Sequence, residues 1–218
     1  HDLHPDFPST HLALSLAEKF GIPAQGVAHH QAHIAAICAE RGVAGPLVGL
    51  AIDGVGLGPD GGAWGGELLR LEGMGCERLG HVQPLRLPGG DRAAREPWRM
   101  AVSALHDAGL AYRVGGWIRQ YYPGRDPAPL LTMLDRNLRC PSTTSLGRWF
   151  DVAAGLLGLR DMMQFEGQAA MELEGLAAAH GPVPPLAGGY ALREQGRVLD
   201  LSPILLALMG CKDDAAYG

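Results

Sequence analysis

Two histidines four residues apart are the first residues in this sequence whose spacing suits metal binding. His29 and His33 lie in the segment HHQAHIAAICAE, where alanine and isoleucine recur without glycine or proline, and this composition predicts a helix. Residues four apart lie on the same face of a helix, so the two imidazoles can offer neutral nitrogen ligands to one ion. A pair of histidines that merely packs is the alternative, and an HxxxH motif alone favours that alternative.

A carboxylate in glycine-rich sequence follows soon after. Residues 46–52, PLVGLAI, are typical of a buried strand, and they carry Asp53 into what we expect to be a glycine-rich turn before a return strand at residues 63–71. The glycines of that turn are Gly54, Gly56, Gly58, Gly61 and Gly62. Their amides can approach phosphate closely, and Asp53 can hold a cation or its bound water. An ordinary hairpin turning at Asp60-Gly61 explains the same residues equally well.

A later stretch contains a second candidate carboxylate. The segment SLGRWFDVAAGLLGL predicts a helix at residues 149–157, with Asp151 in its first turn and Phe150 on its apolar face. Glu166 and Gly167 then precede another helix at residues 169–180, whose amino end suits a ribose or a phosphate. From the residues alone, Asp151 is better explained as an exposed carboxylate that stabilises the helix dipole.

Three arginines surround a tryptophan before the next predicted helix. Arg92, Arg95 and Arg99 lie close to Trp98 and have planar guanidinium groups that can grip a phosphate or a carboxylate. Local pairing with Glu96 at a solvated helix start is the alternative, and the sequence does not choose between the two.

The elements that must position these residues alternate between helix and strand. Residues 12–20 predict an amphipathic helix capped by Ser9 or Thr10, and residues 111–139 predict further helices with breaks at 122–124 and 126–127. The 218 residues are 47% hydrophobic and 19% charged, which is typical of a globular protein with a substantial core.

Charge and hydropathy exclude several classes of partner. The net charge of −5 provides no overall attraction to nucleic acid or to an anionic membrane, and it leaves open only a local basic patch. No apolar run approaches the roughly 20 residues of a membrane helix, and the first residues do not form a signal peptide. We therefore expect a cytoplasmic protein without nucleic-acid or membrane partners.

Taken in order, five segments closely resemble the carboxy-terminal half of the hydrogenase maturation factor HypF family. They are HDLHPDFPST, VAHHQAHIAA, AIDGVGLGPDGGAWGGE, LPGGDRAAREPWRMA and SLGRWFDVAAGLLGL…FEGQAAMELE. The resemblance as a whole extends over nearly all 218 residues. More distantly, the sequence is similar to the ATPases that make threonylcarbamoyladenosine on transfer RNA and to the carbamoyltransferases of antibiotic biosynthesis.

The resemblance implies an α/β fold of the actin-like ATPase (RNase H-like) type, with nucleotide bound between two subdomains. We expect residues 1–45 to end the first subdomain with the histidine helix. Residues 46–218 are expected to start the second, with a helical insertion at about residues 88–140. Both subdomains are then incomplete in this fragment.

The resemblance also implies roles for individual residues. His29 and His33 are the implied ligands of one divalent metal ion, with iron, zinc and magnesium all open, and the third ligand is an aspartate in a motif absent here. Affinity for the metal should therefore be weak. The implied nucleotide-binding residues are Asp53, Gly54 and Gly56 near the phosphates, and Asp151, Glu166 and Gly167 near the ribose and adenine.

The implied activity is carbamoyl transfer. Carbamoyl-adenylate, made from ATP and carbamoyl phosphate in a YrdC-like domain, would pass its carbamoyl group to the C-terminal cysteine of HypE, on the route to the cyanide ligands of nickel-iron hydrogenase. This chain by itself should not complete that reaction. Two rival functions are an O-carbamoyltransferase acting on a small-molecule hydroxyl and a non-catalytic nucleotide-binding module that docks a partner.

Overall fold

The computed structural model describes residues 1–211, which form eight α-helices and a seven-stranded mixed sheet. The helices are α1 (Pro8–Phe20), α2 (His29–Arg41), α3 (Pro97–Asp107), α4 (Ala111–Tyr121), α5 (Ala128–Asp135), α6 (Leu146–Leu156), α7 (Gln168–His180) and α8 (Ser202–Cys211). The strands are β1 (Leu47–Leu57), β2 (Ala63–Glu72), β3 (Gly75–Val82), β4 (Leu85–Arg86), β5 (Ser142–Thr143), β6 (Ala191–Arg193) and β7 (Val198–Asp200).

Strand β2 lies at the centre of the sheet. It pairs antiparallel with β1 along one edge and antiparallel with β3 along the other, where β5 also joins it in parallel. The order is β4-β5-β2-β3-β7-β6, and β1 pairs with β2 outside this path. Among the described residues, therefore, only β2 pairs with β1, and the other edge of β1 is open.

Helix α2 covers one face of β1. Ile34 packs directly over Gly49, where an added Cβ would lie 2.6 Å from the isoleucine side chain. Ile34 is part of a small core with residues of β1 and β2, namely Ala51, Trp64, Leu69 and Leu71. This close packing fixes the histidine helix on the strand that carries Asp53.

A second and larger core lies between helices α3 to α6, helix α8 and the strands β3 and β4. Trp98, Met100 and Trp149 are buried in it, and α3 crosses α6 so closely that a Cβ on Gly155 would lie 2.4 Å from the Pro97 carbonyl oxygen. The predicted helix breaks are confirmed, because α4 ends at Tyr121 and α5 begins at Ala128.

Two expectations about helix α1 and strand β1 are wrong. Helix α1 begins at Pro8 after Phe7, so neither Ser9 nor Thr10 caps it; the proline's fixed φ suits a first helical turn. Strand β1 continues to Leu57 through an irregular register between Ile52 and Gly56, so Asp53, Gly54 and Gly56 lie in the strand.

The turn of this hairpin is shorter than expected. The Gly58 amide donates to the Gly62 carbonyl over 2.8 Å, and Gly61 adopts a φ of +78°, which favours glycine. The Asp60-Gly61 hairpin is therefore confirmed. None of the helices in the described part of the chain is long and apolar enough to cross a membrane.

Candidate functional site

The two histidines of α2 meet Asp53 of β1 at one point. His29 Nε2 lies 3.1 Å from His33 Nε2 and 3.0 Å from Asp53 Oδ2. One ligand atom from each of the three residues lies within 4.8 Å of the others, which is close enough for all three to bind a single ion. From sequence, Asp53 is expected on the phosphate side, where it can hold a cation or its bound water, and the meeting of Asp53 with the two histidines is not predicted.

Asp2 orients the first histidine of this group. Its Oδ2 lies 2.6 Å from His29 Nδ1, and an isolated parallel bridge to Val27 holds the segment in place. Burial opposes ionisation of Asp2, but hydrogen bonds from the His4 amide and the His29 ring outweigh it and lower the pKa of the carboxyl. An ionised Asp2 can accept a hydrogen bond from His29 Nδ1–H, which keeps the ring proton on Nδ1 and leaves the lone pair of Nε2 free to bind a metal. Sequence reasoning missed this residue.

Gly56 allows α2 to lie this close to β1. An added Cβ would lie 2.4 Å from the His29 ring and 2.7 Å from the His30 ring. The imidazole rings of His29 and His30 therefore fill the space beside Gly56. The contact of Gly56 with phosphate stays a prediction.

His30 also borders the group, although it lies on another side of the helix. Its Nε2 is 3.5 Å from Asp53 Oδ2, and burial lowers the pKa of the ring, with Asp53 partly opposing. His30 is thus a neutral imidazole packed against the same carboxylate.

Five of the six predicted nucleotide-binding residues line one cavity of about 370 Å³. They are Asp53, Gly54, Asp151, Glu166 and Gly167. A larger cavity of about 620 Å³ shares Gly54, Arg148 and Glu166 with it, so the two cavities are neighbours.

Ser145 connects the strand to the helix that lines both cavities. Its Oγ donates to the Gly54 carbonyl and accepts the Arg148 amide at 3.2 Å, which caps α6. Gly147 contributes to the close approach, because a Cβ there would lie 3.2 Å from the Gly54 Cα.

Asp151 is buried, which corrects the interpretation of it as an exposed carboxylate. It is 1% exposed, whereas its neighbour Phe150, expected on the buried face, is 43% exposed. Burial raises the pKa of Asp151 to about 7, although Arg148 partly opposes the shift. Arg148 Nη1 lies 3.0 Å from Asp151 Oδ2, but the pair is outside hydrogen-bond geometry.

Glu67, by contrast, is a fully paired buried carboxylate. It accepts hydrogen bonds from the Gly65 and Gly66 amides, from Arg78 and from the Thr144 hydroxyl. It therefore holds the segment before α6 against β2 and has no capacity left for a ligand.

The arginines around Trp98 pair locally, as the alternative interpretation expected. Arg99 donates to Glu96 over 2.7 Å, and Arg92 donates to the other oxygen of the same carboxylate. Arg95 is exposed and lines the larger cavity.

The sheet, the histidine–aspartate group and the adjoining cavities place the chain among α/β proteins of the Kae1-like class, which has the actin-like ATPase fold. Residues 1–40 match the HypF Kae1-like domain, and residues 49–216 match the second subdomain of the carbamoyltransferase Kae1-like domain. The chain belongs to the HypF family, within its C-terminal Kae1-like part. The boundary between residues 45 and 46 and the helical insertion stay predictions.

Individual relatives agree with this assignment. The carbamoyltransferase HypF2 of Cupriavidus necator is 49% identical over all of this chain, which covers 30% of that protein. The carbamoyltransferase HypF of Rhizobium leguminosarum bv. viciae is 44% identical over 99% of the chain, which covers 27% of the relative. The chain thus spans less than a third of the length of these relatives.

Solved structures show the same fold. A full-length HypF crystallised in a phosphate- and nucleotide-bound form is 34% identical, with a TM-score of 0.81 over 100% of this chain and 27% of that protein. The HypF of T. kodakarensis is 30% identical, with a TM-score of 0.82 over 98% of this chain and 28% of that one.

Proposed function

We propose that this chain is the carbamoyl-transferring domain of a HypF-type hydrogenase maturation protein. It binds carbamoyl-adenylate supplied by a YrdC-like domain, and the carbamoyl group passes to the C-terminal cysteine of a HypE acceptor for synthesis of the cyanide ligands. The observation that carries the proposal is the position of the histidine–aspartate group beside the cavity lined by Asp151, Glu166 and Gly167.

The donor atoms fit a divalent metal ion. Two imidazoles and one carboxylate converge, Asp53 Oδ2 is buried without a hydrogen-bond partner in the described residues, and Asp2 orients one ring. Imidazole ligands favour iron or zinc over magnesium. His29, His33 and Asp53 would hold the ion, which would act as a Lewis acid toward the carbonyl oxygen of the substrate.

The residues of the chain bind and orient the substrate in this proposal. The acceptor thiolate attacks the carbamoyl carbon, the bond from that carbon to the phosphate oxygen breaks, AMP leaves, and a thiocarbamate forms. No nucleophile is required from this chain. The amino end of α7 at Gly167 suits an anionic group, and Glu166 and Asp151 can hydrogen-bond ribose hydroxyls.

A transfer assay tests the proposal directly. The segment of Cupriavidus necator HypF2 that matches this chain is replaced by this chain, and the product is given carbamoyl-adenylate and HypE. Carbamoylated HypE is measured by mass spectrometry. His29→Ala and His33→Ala should each lower the transfer rate more than about a hundredfold, because a Lewis acid contributes several kcal/mol to such a step.

Two comparisons make the result specific. His11→Ala removes an exposed histidine of α1 and should leave the rate unchanged. AMP binding should survive in both site variants. Transfer at the wild-type rate in His29→Ala and His33→Ala would rule out the metal role and favour a nucleotide-dependent docking module.

A further inference from the structure

Arg148 occupies the junction of the two cavities. It lines both of them, together with Gly54 and Glu166, and it is only 9% exposed. The Ser145 side chain accepts a hydrogen bond from the Arg148 amide, which fixes the backbone of Arg148 in the first turn of α6.

Most of the hydrogen-bonding capacity of this guanidinium is unused. Nη1 donates to the Ala94 carbonyl over 2.9 Å, whereas the buried Nε has no partner within the part of the chain that the structure describes. An arginine has five N–H donors and no acceptor, and leaving a buried charged donor unpaired is costly. A ligand acceptor at this point would relieve that cost.

Asp151, the carboxylate beside Arg148, does not form a hydrogen-bonded ion pair with it. Asp151 Oδ2 is 3.0 Å from Nη1 but outside hydrogen-bond geometry, and its pKa of about 7 leaves much of it protonated at neutral pH. Positive charge therefore persists at the cavity junction.

Other arginines near the site are differently placed. Arg78 donates to Glu67 and Thr144 and stacks over Trp64 at 4.1 Å. Arg95 is exposed, so its charge is screened by solvent. Arg148 is the buried cation that lines both cavities.

We infer that Arg148 binds the phosphate group of a nucleoside monophosphate, or of its acyl derivative, at the junction of the two cavities. The inference rests on the proposed nucleotide site and adds to it a residue that anchors the anion. Because Asp53 and Glu166 also line the smaller cavity, a phosphate there needs a cation among these carboxylates, and Arg148 provides one from the protein itself.

Two ligands that differ only in the phosphate group, AMP and adenosine, distinguish a phosphate contact of Arg148 from a structural role. Binding of AMP and of adenosine to the whole chain is measured by calorimetry in EDTA, so that no divalent ion mediates phosphate binding. Arg148→Gln should weaken AMP binding about ten- to a hundredfold, as expected for a charge-assisted hydrogen bond, and should leave adenosine binding within about twofold. Arg148→Lys keeps the charge without the planar fork and should fall between wild type and Arg148→Gln.

A control variant and the adenosine measurement keep the inference falsifiable. Arg136→Gln removes an exposed arginine after α5 that lines neither cavity, and it should bind both ligands as wild type does. Equal losses for AMP and adenosine in both Arg148 variants would make Arg148 a structural residue only, and unchanged AMP binding would also overturn the inference. If wild type binds neither ligand, the proposed nucleotide site is wrong, and the role of Arg148 is wrong with it.

Discussion

Glu67 and Asp151 are both buried carboxylates with an arginine beside them, yet they are held in opposite ways. Glu67 is 0% exposed and accepts hydrogen bonds on both oxygens, including two from backbone amides and one from Arg78. Asp151 is equally buried but has an oxygen without a hydrogen-bond partner among the described residues, and its pKa is raised to about 7.

The number of hydrogen bonds therefore distinguishes a carboxylate that holds the fold together from one that still has an oxygen available to a ligand. Removing a partner from a fully hydrogen-bonded buried carboxylate lowers stability, whereas a partly paired buried carboxylate already carries a desolvation cost that a ligand can relieve. Mutation of Glu67 should therefore lower the free energy of unfolding, whereas removing the ionisable group of Asp151 should raise it relative to wild type as the pH rises.

The largest effect is expected from Glu67→Ala. It leaves the Gly65 and Gly66 amides without their acceptor and the partly buried guanidinium of Arg78 without its carboxylate partner, and breaking such a pair costs up to about 3–5 kcal/mol. The free energy of unfolding in urea measures the loss. A loss below about 1 kcal/mol would remove the contrast between the two regions.

Gly56→Ala, beside the histidine–aspartate group, should have the next largest effect on the free energy of unfolding. The new Cβ collides with His29 and His30, which forces α2 away from β1 and costs about 1–3 kcal/mol. Zinc affinity measured by calorimetry should fall with it. Gly116→Ala in α4 meets no atom within 4 Å and serves as the matched control, expected to be neutral or slightly stabilising.

Asp151→Asn tests the raised pKa. Burial raises the pKa from 3.8 to about 7, so the folded protein keeps a proton that the unfolded chain releases above about pH 4. Wild-type stability should therefore fall as pH rises through this window, by about 1.4 kcal/mol per pH unit. The asparagine variant has no such proton, so it should gain about 2 kcal/mol relative to wild type between about pH 5 and about pH 6.5.

Urea unfolding at several pH values measures this difference. Asp6→Asn, at an exposed carboxylate, is the control and should follow wild type at every pH. If the stability of Asp151→Asn also follows wild type across the window, Asp151 is ionised in the folded protein and the contrast with Glu67 is wrong.

The smallest effect is expected at an exposed ion pair. Arg70 lies 2.7 Å from Glu72, but both side chains are about half exposed or more. Glu72→Ala should change the free energy of unfolding by no more than about 0.5 kcal/mol. A loss comparable to that of Glu67→Ala would show that burial does not account for the difference between the two regions.

Local patterns were sufficient for some of this architecture. The histidine helix, the Asp60-Gly61 hairpin and the breaks after α4 depend on neighbouring residues, and a single sequence contains that information. The family resemblance added the fold and directed attention to Asp151, which residue patterns alone placed on the surface.

Other features depend on contacts between distant residues. Asp53 meets the histidines because β1 continues past the expected turn and pairs with β2, and Asp2 reaches His29 across 27 positions. Neither contact leaves a periodic signal. The burial of Asp151 likewise depends on which elements pack around α6, and no local window reports it.

The hydroxyl of Ser145 joins Gly54 of β1 to the start of α6, since it donates to the Gly54 carbonyl and accepts from the Arg148 amide. If a metal that binds at the histidine–aspartate group shifts this strand, these two hydrogen bonds carry the shift to the helix that contains Arg148. Occupancy of the two sites then becomes energetically linked, and a thermodynamic cycle requires that the metal changes nucleotide affinity by the same factor as the nucleotide changes metal affinity.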